Sequence, residues 1–433
     1  MSKLEKYPKY KDSGVAWIGE IPEGWEVNKI QYILHEKKKA HNIELNCGSI
    51  SFGKVVYKDD EKIPHSTKRA YQVVKAGDFL INPLNLNYDL KSLRIALSDL
   101  NVIVSSGYIV LDIQKDINKK YLNYLLHRFD VAFMKTLGAG VRQTLNYNDI
   151  AKCELIEPPI DEQTKIANYL DKKTAQIDKA ISFKEQMIER LKERRQILIN
   201  DAVTKGLDKT VKMKDSGVEW IGEIPEDWEI KKFRFLFNFS KGLNITKENL
   251  QGEGVPCVNY GEIHSKYGFE LDPAKHLLKC VGEEYLEIAP KSFLKKGDFI
   301  FADTSEDVEA SGSFTYLNSE IPTFAGYHTI ITRLKKPMAN RFVAYFFDSD
   351  AFRDQVRQKV KGVKVYSITN NILKETLVCF PEKDEQRRIA EYLDVKTRKI
   401  DKAISLQQKQ IEKLKEYKTT IIDSTVTGKV RVS

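Results

Sequence analysis

No CxxC pair occurs among the five cysteines, Cys47, Cys153, Cys257, Cys280 and Cys379, and no histidine stands at zinc spacing from them. Neither a structural zinc site nor a redox motif is therefore expected. Scattered thiols fit a reducing compartment, and the cytoplasm is the expected location. No apolar run approaches the length of about eighteen residues that a membrane span needs, and the opening "MSKLEKYPKYKDSG" has no apolar leader core. Membrane insertion and secretion are not expected. HExxH, GxSxG and GxxxxGK[ST] are all missing, which removes the signatures of zinc proteases, α/β-hydrolases and P-loop ATPases. The nearest approaches to the loop of a base-flipping amino-methyltransferase are "NPLN" at Asn82–Asn85 and "EPPI" at Glu157–Ile160. Neither supplies the aromatic ring that stacks on a flipped base. The carboxylates of "YKDDEKIP" (Tyr57–Pro64) read as a solvated loop. The chain is not expected to be an enzyme by itself, and it is expected to hold no cofactor and no metal.

Tryptophan is scarce as well, and its distribution is informative. All four, Trp17, Trp25, Trp220 and Trp228, lie in two copies of one phrase, "KDSGVAWIGEIPEGWEV" from Lys11 and "KDSGVEWIGEIPEDWEI" from Lys214, which differ at three of seventeen positions. A second repeat follows in each half. "IANYLDKKTAQIDKAIS" from Ile166 and "IAEYLDVKTRKIDKAIS" from Ile389 agree at thirteen of seventeen positions, and each is preceded by a proline and a "DEQ". Proline and then Asp mark a helix start, so a long helix is predicted to begin near each "DEQ".

At heptad spacing the first helix presents Leu170, Ile177, Lys184, Leu191 and Leu198 in one column and Ala167, Thr174, Ile181, Ile188, Arg195 and Ala202 in another. The second presents Leu393, Ile400, Gln407, Leu414 and Ile421 beside Ala390, Thr397, Ile404, Ile411, Lys418 and Thr425. A sustained apolar seam with charged flanks is the pattern of a coiled coil. Chain continuity then makes the two helices antiparallel, about 60 Å long at the α-helical rise.

The order in each half is phrase, divergent region, helix. The segments read as 1–27 (first phrase), 28–157 (first divergent region), 158–207 (first long helix), 208–230 (linker and second phrase), 231–380 (second divergent region) and 381–433 (second long helix). Short landmarks survive inside the divergent regions: "AGDFLI" (Ala76–Ile81) with "KGDFIF" (Lys296–Phe301), and "SGYIVL" (Ser106–Leu111) with "AGYHTI" (Ala325–Ile330). By the two offsets Met1 and Ser433 both correspond to the segment joining the halves, so the sequence reads as a pseudo-two-fold ring cut once. Hydrophobic residues make up 42% of the 433, enough for two or three folded domains. Lys plus Arg number 70 against 61 Asp plus Glu, a net +9 that tilts the expected partner toward a polyanion. Two diverged domains on a repeated frame suit two different half-sites on a duplex, spaced by one or two helical turns of about 34 Å.

The phrase "GEIPEGWEV", the "DEQ" with "IAxYLDxKTxxIDxxI", and the divergent regions between them together resemble the specificity subunits of type I restriction-modification systems, over essentially the whole chain. The resemblance implies a mixed α/β (α+β) fold. Two globular target-recognition domains would be separated by two long helices that form an antiparallel coiled coil with pseudo-two-fold symmetry. It also implies double-stranded DNA as ligand, each domain reading one half of an asymmetric bipartite site. Two methylation subunits would dock on the repeated regions and two restriction subunits would join the full complex. S-adenosylmethionine, ATP and Mg2+ belong to those partner chains. The alternative is a structural coiled-coil protein that binds protein partners only.

Base edges are read by Arg, Lys, Asn or Gln, and phosphates by Lys, Arg, Ser or backbone amides. In the first divergent region the candidate contacts are Lys68 and Arg69 in "HSTKRAY", Asn82, Asn85, Asn87 and Arg94 in "NPLNLNYDLKSLR", and Arg142 and Gln143 in "GAGVRQTLNY". In the second they are Asn259, Tyr260, His264 and Ser265 in "NYGEIHSKYG", Thr304 and Ser305 in "DTSEDVEASGS", Tyr327 and His328 in "AGYH", and Lys361, Lys364 and Tyr366 in "KGVKVYS". Polar surface loops would carry the same residues, so placement in the fold must separate the two readings.

Overall fold

A computed structural model describes residues 5–61, 63–84, 93–134, 144–362 and 365–432. The chain divides into two compact units, one formed by Met1–Lys184 with Lys409–Ser433 and the other by Glu185–Gln408. Among the described residues no helix is long and apolar enough to cross a membrane.

Each unit is built around an antiparallel sheet whose central strands are buried on both faces. In the first unit the strand order is Leu34–Glu36, Ile109–Ile113, Phe79–Ile81, Ile95–Leu97. In the second it is Phe237–Lys241, Thr329–Leu334, Phe299–Ala302, Phe314–Leu317, extended by a parallel fifth strand, Phe269–Leu271. The "GDF" landmark is a turn into the central strand. Gly77 and Gly297 take φ of +94° and +89°, and the buried Asp78 and Asp298 accept from the backbone amides of Lys75 and Lys295 at 2.7 and 2.8 Å. That local hydrogen bond explains why glycine and aspartate recur where their neighbours differ.

The other landmark is two residues out of register. Ile109 pairs with Ile81, whereas Ile330, not His328, pairs with Phe301. Tyr108 and Tyr327 are therefore not counterparts. Strand pairing overrides the tripeptide match because a slip moves every side chain to the wrong face or neighbour.

The first long helix spans Ile160–Lys205 and the second Lys383–Val426. Inside the first unit Lys418 Nζ lies 2.7 Å from Asp178 Oδ1, and Lys184 donates to Gln410, which sets the helices antiparallel. Inside the second unit Arg195 and Asp401 make the matching pair at 3.3 Å. Leu170, Ile177, Ile188, Leu393, Ile411 and Ile421 are buried, and Ile181, Leu191, Leu198, Ile400, Ile404 and Leu414 are half-buried. The predicted seam is inward along its whole length.

The "DEQ" supplies the helix entry. Gln163 and Gln386 are buried, and each amide donates to the carbonyl of the preceding proline segment, Pro158 at 2.8 Å and Pro381 at 2.9 Å. Their side-chain oxygens accept from the amides of Asn118 and Ala339, each at 2.9 Å. The glutamate of "DEQ" receives the tryptophan of the phrase. Trp25 Nε1 donates to Glu162 at 3.0 Å, and Trp228 hydrogen-bonds Glu385. Trp25 and Trp228 are buried while Trp17 and Trp220 are half-buried. The phrase is an anchor on the first turn of the helix that closes its own half. It also meets the end of the other helix: Val426 and Val432 join Trp25 in one core, and Ile199, Ala202 and Val203 join Trp228 in the other. Glu5 and Arg431 bridge antiparallel, the Arg431 amide donating to Glu5 O at 2.7 Å.

A second fastening uses the "YLDxKT" of each helix. Lys120 Nζ and the Tyr124 hydroxyl reach Asp171 at 2.7 and 3.0 Å, with Thr174 3.2 Å from the same hydroxyl. In the second unit Arg341 and Tyr345 reach Asp394 at 2.6 and 2.7 Å, with Thr397 at 3.1 Å. A cation and a tyrosine four residues apart on one helix face thus clamp each divergent region to an Asp and a Thr of the repeat.

His127 sits on the helix Lys119–Ala132 with Nε2 2.9 Å from the Ile95 carbonyl, and burial pushes its pKa down to about 4. An unfolded histidine takes up a proton near pH 6.5. Stability from neutral His127 is therefore present above 6.5 and is lost as pH falls through 4. The expected loss is about 1–3 kcal/mol. Urea unfolding of the wild type and His127→Gln between pH 7 and 4 checks it: the wild type should show the steeper slope, and coincident profiles would contradict the burial account.

Candidate nucleic-acid interface

In the second unit the four predicted stretches converge on Asp303 and Thr304. Asp303 leaves the central strand Phe299–Ala302, and its amide donates to the His328 carbonyl at 3.0 Å while its carbonyl accepts from Ile368 at 2.8 Å. Thr304–Ser305 pairs with Tyr366–Ser367 as a short antiparallel ribbon, and Lys361 bridges to Ser367. His264, on the helix Tyr260–Ser265, lies with Nε2 2.8 Å from the Thr304 carbonyl. His328 Nδ1 lies 3.1 Å from Asp303 Oδ1, which also accepts from Thr304 Oγ1 at 2.7 Å. Both histidines are fixed in tautomer by these contacts, because a carbonyl or carboxylate only accepts.

The rings gather on the same edge. Tyr260 stands edge-on to His328, Tyr327 and His264 with centroids 5.3, 5.7 and 6.3 Å away. Burial raises the pKa of the Tyr327 phenol, which keeps it a donor at neutral pH. His328 is exposed and held at φ +56°, an unusual backbone for a residue with a side chain. Ser265 and Lys361 are exposed and Tyr366 half-buried beside this cluster. Flat rings with polar edges, hydroxyls and a lysine on one exposed margin can stack, hydrogen-bond and contact phosphate.

The first unit shows the same plan in outline. Leu84 bridges to Thr144 and the Leu145 amide donates to Pro83 O at 3.2 Å, so the stretches around Asn82 and Thr144 meet as their counterparts do. Asn82 is half-buried and its Oδ1 accepts from the Leu84 amide at 3.1 Å. Lys68 is held 2.8 Å from Asp60, and Arg69 is exposed. Asn85, Asn87, Arg142, Gln143 and Lys364 lie outside the described residues.

Three expected contacts are corrected. Arg94 is 7% exposed, and its Nε and backbone amide both reach the fully buried Asp130, at 3.0 and 2.6 Å. Asn259 is buried and caps the helix Tyr260–Ser265, its amide donating to Glu262 at 2.8 Å. Ser305 is buried with its hydroxyl on Asp307 O at 2.6 Å. Each polar group is spent on a partner within its own unit, since a group withdrawn from water must be satisfied locally. Phe52, 93% exposed at a hairpin tip, escaped the sequence reading.

A repeated helical frame that carries two diverged sheet domains, the second with polar and aromatic loops gathered at one edge, fits a DNA-specificity protein. The comparisons agree. The type I restriction modification DNA specificity domain matches residues 22–193 and again 225–416, and the chain belongs to that family. It is the specificity subunit of a type I restriction-modification system. It is 24% identical over 422 residues to the type I restriction enzyme MjaVIII specificity subunit of Methanocaldococcus jannaschii, covering 95% of this chain and 94% of that one. It is also 24% identical to the EcoKI specificity subunit of Escherichia coli K12 over 213 residues, 48% of this chain and 44% of that one. The fold matches a chain from a study of complex assembly and conformational transition of the type I R-M system, at TM-score 0.70 and 16% identity, over 94% of this chain and 98% of that one. It matches the HsdS subunit of Thermoanaerobacter tengcongensis at TM-score 0.50 and 16% identity, over 95% and 98%.

Proposed function

We propose that residues 28–157 and 231–380 each read one half of an asymmetric bipartite duplex site, while the long helices set the spacing and dock two methylation subunits. Two restriction subunits complete the assembly. Methyl transfer, cleavage and the S-adenosylmethionine, ATP and Mg2+ they need reside in those partners, in the cytoplasm, and this chain contributes recognition without catalysis. The observation that carries the reading is the convergence of four separate stretches of the second unit on Asp303 and Thr304, with Tyr260, Tyr327 and His328 around them.

The test is selection from randomised duplexes by the chain assembled with its methylation subunit. A two-part sequence should be enriched. Tyr260→Ala with His328→Ala should weaken binding by roughly 10- to 100-fold, at about 1–3 kcal/mol for a lost base contact, and blur one half only. Equal loss in both halves would contradict the assignment. Absence of any enriched sequence would favour a scaffold that binds protein alone.

A further inference from the structure

The strands Gly48–Ser51 and Lys54–Tyr57 form a hairpin closed by two residues, Phe52 and Gly53. Both have left-handed backbones, φ +48° and +73°. Two-residue turns of this hand favour Asn-Gly, because a left-handed backbone is strained for residues with large side chains. Phe52 accepts that strain and is also 93% exposed, so no packing offsets it. Gly53, by contrast, is fixed: a Cβ there would lie 2.7 Å from Leu93 Cδ1 and 3.1 Å from the His127 ring. The tip is therefore seated on its own unit while the Phe52 ring stands in solvent.

Strain kept at an exposed position points to function rather than to folding. The chemistry around the ring indicates the ligand. Lys54, Tyr57 and Lys58 are exposed along the same hairpin, giving cations behind an aromatic tip. Leu93, against which the tip is seated, is the last residue but one of the stretch that begins at Asn82. A flat apolar ring backed by lysines complements a polyanion whose interior is a stack of flat rings. We propose that Phe52 is a wedge that inserts into the base stack of the half-site read by residues 28–157, unstacking one step and bending the duplex, as exposed apolar side chains do in proteins that kink DNA. The inference rests on the DNA-reading function proposed above.

Phe52→Asn separates fold from function. It restores the favoured Asn-Gly turn, so the melting temperature should rise by about 2–4 °C. Affinity for the duplex selected by the wild-type assembly should fall roughly 5- to 100-fold, the span of one lost base–aromatic stack. With wild type, permanganate should find a hyper-reactive thymine in that half-site; with Phe52→Asn the reactivity should vanish. A mismatch placed at the same step should restore most of the lost affinity, because the unstacking cost is then already met. Unchanged affinity and unchanged permanganate reactivity in Phe52→Asn would overturn the wedge while leaving the recognition function intact. Loss of the methylation subunit from the assembly, with DNA reactivity unchanged, would make the ring a protein contact and also overturn it. If the wild type selects no sequence at all, the recognition reading fails first, and the wedge falls with it.

Discussion

Alanine in place of Trp228 is expected to destabilise the unit Glu185–Gln408 by about 3–5 kcal/mol, a third or more of what a domain has to lose. The indole is 1% exposed and stands edge-on to Phe342 with centroids 6.3 Å apart. It also hydrogen-bonds Glu385, so truncation both opens a cavity and strips a partly buried carboxylate of its donor. Gly206 packs against it, where an added Cβ would lie 3.4 Å from Trp228 Cζ2, and a glycine has no side chain to refill the space. Trp220→Ala, eight residues earlier in the same phrase, removes only a half-buried ring and should cost about 1–2 kcal/mol. Hydrogen exchange and urea unfolding of the two variants side by side decide the matter. Equal losses would mean that the phrase is not anchored through its second tryptophan.

The parts of this architecture that the sequence announces are those repeated at fixed periods. The seam at heptad spacing is inward from Leu170 to Leu198 and from Leu393 to Ile421, because a long helix pair leaves no other place for an apolar column. The "DEQ" signals a helix start, and its glutamine also satisfies the amide of the neighbouring domain helix. One repeated signal goes unused in a linear reading: Lys120 with Tyr124 and Arg341 with Tyr345 share a four-residue spacing, and only the fold shows both meeting the "YLDxKT".

What stays hidden depends on partners distant in sequence. Arg94 looks like a duplex contact until Asp130 is found beneath it, thirty-six residues on. "AGYH" looks aligned with "SGYI" until the sheet pairs Ile330 with Phe301. In the second unit the four stretches, each recognisable by its turn residues and hydrogen-bonding side chains, do meet in the fold. What could not be foretold is that a single pair, Asp303 and Thr304, ties them together. Phe52 is hidden for another reason. "SFGK" gives no hairpin signal, because the sequence at that turn is the one folding alone would not choose.

Replacing residues 231–380 with a second copy of residues 28–157 is expected to give a folded chain whose target carries the same half-site twice. Each divergent region begins and ends on neighbouring strands. Glu26–Lys29 pairs with Glu154–Glu157, and Glu229–Lys232 with Leu377–Phe380, so the graft enters and leaves along one ribbon in either setting. The fastening is also common to both. Lys120 and Tyr124 would meet Asp394 and Thr397 as they now meet Asp171 and Thr174, and the Asn118 amide would meet Gln386 in place of Gln163. The surroundings of the graft, Trp228 and Ile224 of the phrase with Ile389 and Leu393 of the helix, are buried as Trp25, Ile21, Ile166 and Leu170 are in the first unit. Affinity for the original bipartite duplex should drop by about a thousandfold or more, toward the non-specific level, because every contact in one half is lost together. Selection from randomised duplexes, or mapping of methylated bases in a host carrying the altered chain, reads the result. If the original second half persists, the bases are being read by the repeated frame and not by the segment between the phrases. If the altered chain fails to fold, the two fastenings are not interchangeable.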